Sequence, residues 1–117
     1  MRENNYYNIL QYFIIIIYFF IIIIYYIIIM IPSLIVEFLG TFIFLSVIIR
    51  SYNSLYIGLT LTLVILLGGW ISGGNYNPAV SYMMLLNDKL DLKTMAMYIV
   101  AQVLGATAAF IYYKRSN

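Results

Sequence analysis

Between Ile9 and Ile31 no residue carries a charge. As a helix that run rises about 35 Å, enough to cross a hydrocarbon core of about 30 Å. No water-soluble core has room for such a segment, so a lipid bilayer is the first constraint on the fold. The pattern then repeats. After Pro32 an apolar run extends from Ser33 to Ile49 and ends at Arg50, and Ser51 to Ser54 reads as a turn. A third run spans Leu55 to Ile71. A glycine-rich loop, Ser72 to Tyr76, leads into a short apolar piece from Pro78 to Leu86. Asn87 to Lys93 is the one clearly polar connection, and a last run covers Thr94 to Tyr113. The expectation is an all-α integral membrane protein. Its spanning helices should lie at about 33–50, 55–71 and 94–113, with a half-helix at 78–86 and an extra apolar N-terminal helix ahead of them.

Composition narrows the chemistry. Charged residues make up 9% of the chain, against about 25% in an ordinary soluble domain. There is no cysteine and no histidine. That removes disulfides, Cys/His metal sites and histidine acid–base chemistry. No basic patch of the nucleic-acid-binding kind occurs. No nucleophile–base pair, metal cluster or phosphate loop is present, so neither an enzyme nor a cofactor is expected. The lipid bilayer is the partner that the composition demands.

Residues 1–31 are rich in Ile and Tyr, and the thirteen tyrosines of the chain read as a compositional bias that fills lipid-facing positions. Arg2 precedes the first run, as in a signal peptide. The run is too long for that, however, and no small-residue cleavage site precedes Pro32. A retained membrane helix, or a proline-kinked extension of the next one, is expected.

The piece from Pro78 to Leu86 cannot span, since its helical rise is only about 13 Å. Irregular backbone at membrane depth is tolerated only where protein buries it or water solvates it. A re-entrant half-helix lining a polar cavity meets that condition, whereas a surface helix would need a polar face, of which Ala79 to Leu86 has little. Asn77-Pro78 is a helix start, with asparagine at the cap and proline at the first position. The Asn77 carbonyl accepts from first-turn N–H groups, leaving two amide hydrogens directed outward. The half-helix adds the positive end of its dipole there. Such a site binds the oxygen of a neutral molecule and repels cations.

The loop Ser72-Gly73-Gly74-Asn75-Tyr76-Asn77-Pro78-Ala79-Val80 closely resembles the first signature loop of the major intrinsic proteins, the aquaporins and aquaglyceroporins. Their usual pattern is Ser-Gly-(Ala/Gly)-His-x-Asn-Pro-Ala-Val. Two further segments match in order. Glu37-Phe38-Leu39-Gly40-Thr41-Phe42 resembles the Glu-Phe-x-Gly-Thr motif of the first helix, and Ala101-Gln102-Val103-Leu104-Gly105-Ala106 the Ala-Gln-x-x-Gly-Ala motif of the third. The resemblance covers about residues 33–113. It assigns Asn77, Pro78 and Ala79 to a pore motif, and it departs from the family at Asn75, where histidine is usual.

Glu37 is the one ionisable residue inside an apolar run, where a charge costs a few kcal/mol. It should face protein, with snorkelling to the interface as the alternative. In the family the equivalent glutamate accepts from loop N–H groups, and Gln102 braces the same loop together with the residue at position 75. Ala101, Gly105 and Ala109 form a small-residue seam at i, i+4, i+8 for close helix packing. Gly40 and Gly58 are read as similar contact points. Ile57 falls at the family's second-helix selectivity position, where an aliphatic residue suggests a wider constriction than water alone needs.

The resemblance implies a channel for water or small uncharged solutes such as glycerol. The family pairs two such halves in inverted orientation, and this sequence contains one. A second half, from a homo-oligomer or a full-length family member, is therefore expected as partner. The alternative is a non-conducting relic or an accessory subunit of a full-length channel. Charge adds a complication. Family orientation puts Lys89 and Lys93 in the cytoplasm and Arg50, Lys114 and Arg115 outside, joined by Arg2 if residues 9–31 span, against the positive-inside tendency.

Overall fold

The computed structural model describes residues 2–117 and contains four helices: α1 (Arg2–Arg50), α2 (Ser54–Ser72), α3 (Pro78–Leu86) and α4 (Leu92–Arg115). Three of them are long and apolar enough to cross a membrane, over Asn5–Arg50, Ser54–Ser72 and Leu92–Arg115. The protein is an all-α integral membrane protein. The chain falls into two compact units that divide between Ile31 and Pro32.

The first unit is helical, and its Ile, Phe and Tyr side chains are exposed on every side. A helix that is apolar all round belongs in lipid. Of the two expectations for the N-terminal run, the extension holds: it is the beginning of α1, because Pro32 does not end the helix. Proline removes one backbone donor, and in a spanning helix that single loss is tolerated while the rest of the ladder stays bonded.

In the second unit each helix after α1 begins on a side-chain cap. Asn53 Oδ1 accepts from the N–H groups of Leu55 at 2.9 Å and Tyr56 at 3.3 Å. Asn77 Oδ1 accepts from Ala79 at 2.8 Å, with Pro78 at the first helical position. Asp91 Oδ1 accepts from Thr94 at 2.6 Å, a bond that holds its carboxyl below the usual carboxylate range. Gly73, at φ 92, closes α2 in the left-handed region that glycine adopts without a Cβ clash.

Two contacts fix the helix directions. Ser33 Oγ donates to the Ile71 carbonyl at 3.0 Å, setting the start of this part of α1 against the end of α2. Arg50 donates to Ser116 Oγ, bringing the C-terminal ends of α1 and α4 together. Between them α1 and α4 approach closely at Gly105, where an added Cβ would lie 2.5 Å from the Phe38 carbonyl oxygen. Ala101 and Ala109 are buried along the same seam. Gly58 makes no close contact within this chain, since a Cβ there would meet nothing within 4 Å. It sits on the exposed face of α2.

The interior of this unit is rich in polar groups. Ser33, Glu37, Thr41, Ser72, Asn75, Ser81 and Gln102 are buried, while leucines and isoleucines cover the outside. Lipid supplies the apolar solvent, so what must be hidden is the polar loop.

Candidate pore-loop site

Glu37, on α1, is completely buried. Its two carboxylate oxygens collect four donors. Oε1 accepts from Ser72 Oγ at 2.7 Å and from the Asn75 N–H at 2.9 Å. Oε2 accepts from the Tyr76 N–H at 2.7 Å and from Gln102 Nε2 at 2.9 Å. Thus α1 and α4 together hold the loop between α2 and α3. A carboxylate has enough lone pairs for four donors, and backbone N–H groups without partners inside a membrane would each cost several kcal/mol. Glu37 sits inside the protein and does not snorkel.

Gln102 and Asn75 meet at a second hub. Gln102 Nε2 also donates to Ser81 Oγ at 2.8 Å, and Asn75 Nδ2 donates to the same oxygen at 3.2 Å. Ser81 lies one turn into α3, so the half-helix is tied to the loop that precedes it. Sequence reasoning assigned Ser81 no role; the signal was the one serine in a half-helix otherwise built of apolar and aromatic side chains.

Two tyrosines also complete the site, and the bias reading fails for both. Tyr98 OH donates to the Ser72 carbonyl at 2.8 Å, and Tyr76 OH donates to the Val64 carbonyl at 2.7 Å. Both side chains are buried, unlike Tyr6, Tyr7, Tyr12, Tyr18 and Tyr25. Tyr76 has φ 50, a left-handed backbone uncommon for a bulky residue. Bonds at its N–H and its hydroxyl pin it there. Its ring occupies space left by two glycines: a Cβ on Gly40 would come within 2.1 Å of the ring, and one on Gly68 within 2.5 Å of the hydroxyl. Gly40 is therefore a slot for a loop side chain, and Gly68 is its counterpart on α2. Tyr98 was findable in principle, since it lies one turn before Gln102 on the same face of α4.

Asn77 lies outside this buried network. It is exposed, as are Pro78 and Ala79. Because Oδ1 serves as the cap, the amide hydrogens are left to donate outward. Beside it is a groove of about 160 Å³, lined among others by Thr41, Tyr76, Asn77, Gln102 and Val103. Two of these lining residues carry buried polar atoms without a partner, Thr41 Oγ1 and Gln102 Oε1. Glu37 dictates the second of these, since turning the Gln102 amide over would set its oxygen against a carboxylate. Ile57 does not line this groove. It is half-buried near the start of α2, its N–H on the Asn53 carbonyl at 3.1 Å. No group of three or more acidic residues that could hold a metal occurs among the described residues.

The family model for the major intrinsic proteins matches residues 28–115. Over 84 residues the chain is 43% identical to glycerol uptake facilitator protein-like 6 of Lactiplantibacillus plantarum, covering 64% of this chain and 39% of that protein. It is 51% identical over 57 residues to aquaporin Z of Brucella melitensis, covering 48% of this chain and 25% of that one. It is 33% identical over 91 residues to aquaporin NIP1-1 of Arabidopsis thaliana, covering 66% and 31% respectively. The chain thus spans between a quarter and two fifths of the length of these relatives. No solved structure matches significantly. With the model match extending over most of the chain and the loop held as described, the chain belongs to the major intrinsic protein family.

Proposed function

We propose that the chain is a membrane channel subunit for water or small uncharged solutes such as glycerol, and that it conducts only when joined by a second half. The observation that carries this reading is the exposed Asn77 amide at the start of a half-helix, with its loop braced from behind by Glu37 and Gln102. An outward N–H pair at the positive end of a helix dipole stabilises a solute oxygen and opposes cations. The names of the relatives, a glycerol uptake facilitator and aquaporins, favour the same solute class. The half-helix rises only about 13 Å, so the rest of the membrane depth beside Asn77 needs protein from elsewhere. A second copy or a full-length family member supplies it. Ile57 is assigned to the constriction and Asn77, Pro78 and Ala79 to the pore motif.

Osmotic swelling of proteoliposomes tests the proposal. Faster shrinking or swelling than in empty liposomes, lost in Asn77→Asp, is the expected result. A parent protein that inserts and folds yet never raises permeability, alone or with a full-length member, would leave the accessory or relic reading.

A further inference from the structure

Three cations gather at the end of the second unit where α1 and α4 terminate. Arg50 closes α1, while Lys114 and Arg115 lie in the last turn of α4. All three are exposed. The contact between Arg50 and Ser116 shows that the two helix ends meet. The acidic residues of this unit lie elsewhere. Glu37 is buried against the loop, and Asp88 and Asp91 sit in the connection at the opposite end of α4, about 36 Å away.

Arg50 is held by neutral partners. Its guanidinium lies 4.8 Å from the Tyr112 ring centre and 5.8 Å from that of Tyr113. Stacking of this kind fixes the plane of the fork and leaves N–H donors free for a planar or tetrahedral anion. The Lys114 ammonium lies 5.9 Å from the Phe110 ring centre.

Directly inside this cationic end runs an apolar groove of about 400 Å³. Leu45, Ile48 and Ile49 of α1 form one wall, and Ala106, Ala109 and Phe110 of α4 the other. Phe110 connects the two features, since it lines the groove and carries Lys114 over its ring. Tyr52, almost fully exposed, borders the groove at the same end, a position suited to the membrane–water interface. A cationic rim over an apolar channel at headgroup depth matches an amphiphile with a negative head.

We propose that this end of the protein binds an anionic phospholipid, its phosphate on Arg50, Lys114 and Arg115 and an acyl chain in the groove between α1 and α4. Basic side chains at the membrane surface attract anionic headgroups additively, while the small side chains Ala106 and Ala109 leave the depth for a chain to lie against the helices. The three cations lie away from the pore loop, while the groove adjoins the one beside Asn77 and shares Leu45 and Ala106 with it.

Native mass spectrometry of the purified full chain in detergent provides the test, with phosphatidylglycerol and phosphatidylcholine of identical acyl chains as probes. Retention of phosphatidylglycerol should exceed that of phosphatidylcholine by on the order of tenfold. The double variant Arg50→Gln/Lys114→Gln should bring the two near parity, and Ile48→Trp, which fills the groove, should weaken both. Circular dichroism confirms that each variant is folded. Lys114→Gln alone, in an exposed last turn, should lower the preference about threefold and keeps the test open if Arg50 proves necessary for folding. Equal retention by the parent, or a preference that survives charge removal, would overturn the proposal. So would displacement by inorganic phosphate as effective as displacement by a second phospholipid, which would mark a free-anion site.

Discussion

Gln102 Nε2 donates to Glu37 Oε2 at 2.9 Å, joining α4 to α1 through two side chains that are both fully buried. Every partner of Glu37 is a donor. Glu37→Gln is therefore not conservative in this site, because its amide nitrogen must face two donors. Ser72 can rotate its hydroxyl and accept, but the Asn75 or Tyr76 N–H cannot. Loss of about 1–3 kcal/mol is expected for Gln, and more for Leu, which strands all four donors. Unfolding in mixed detergent, followed by the fluorescence of Trp70, should rank parent, Gln and Leu in that order. Equal stability of all three would remove Glu37 from the scaffold.

Tyr76 makes Gly40 and Gly58 opposites. Gly40→Ala places a methyl group within the Tyr76 ring and should cost about 1–3 kcal/mol through overpacking. Gly58→Ala meets open space in a helix and should be neutral or stabilise by up to about 1 kcal/mol. The same unfolding assay separates them, and equal effects would mean that the ring does not occupy the Gly40 slot.

The hydroxyl of Tyr98 contributes on the same scale. Tyr98→Phe removes its bond to the Ser72 carbonyl and leaves that acceptor buried, for an expected loss of about 1–3 kcal/mol. Tyr18→Phe, on an exposed face of the first unit, should be silent.

Asn77→Asp keeps an acceptor for the Ala79 N–H, so α3 should still start where it does. What disappears is the outward donor pair, and a negative charge replaces it. Solute flux in proteoliposomes should fall to the background of empty liposomes while insertion is unchanged. Retained flux would take Asn77 out of the pore.

Orientation separates the candidate partners. Lys89 and Lys93 lie at one end of the second unit and Arg50, Lys114 and Arg115 at the other. Three basic residues against two is a weak bias under the positive-inside tendency. If the second half comes from an inverted copy, insertion in both directions is the expected outcome, bringing another half-helix to the first. Reporter fusions at Asn117 should give signal from both sides of the membrane. Signal from one side alone would rule out the inverted homodimer and leave a full-length member as partner.

Much of this protein was legible in the sequence because lipid imposes simple rules. Length and charge-free runs placed the spanning helices, and the nine residues from Pro78 to Leu86 appear at the bounds expected from Pro78 and Asn87. A charge inside an apolar run had to be covered, which singled out Glu37. The motifs supplied Gln102 and, beside it, the small-residue seam at Gly105 that packs on α1. Pro32 left two readings open, a separate helix or an extension of the next, and the helix runs through it because in lipid one missing donor does not stop a helix.

Other features depended on the tertiary structure. Thirteen tyrosines read alike in a biased composition, yet only packing distinguishes Tyr76 and Tyr98, whose hydroxyls reach carbonyls on other segments, from those that face lipid. Gly40, Gly68 and Gly58 are the same residue in a string, and only the ring of Tyr76 decides which two are required. Local patterns record which backbone a segment adopts and how apolar its faces are. They do not record which atoms from distant segments arrive at one point, and the hub of Glu37, Gln102 and Ser81 exists only where α1, α3 and α4 meet.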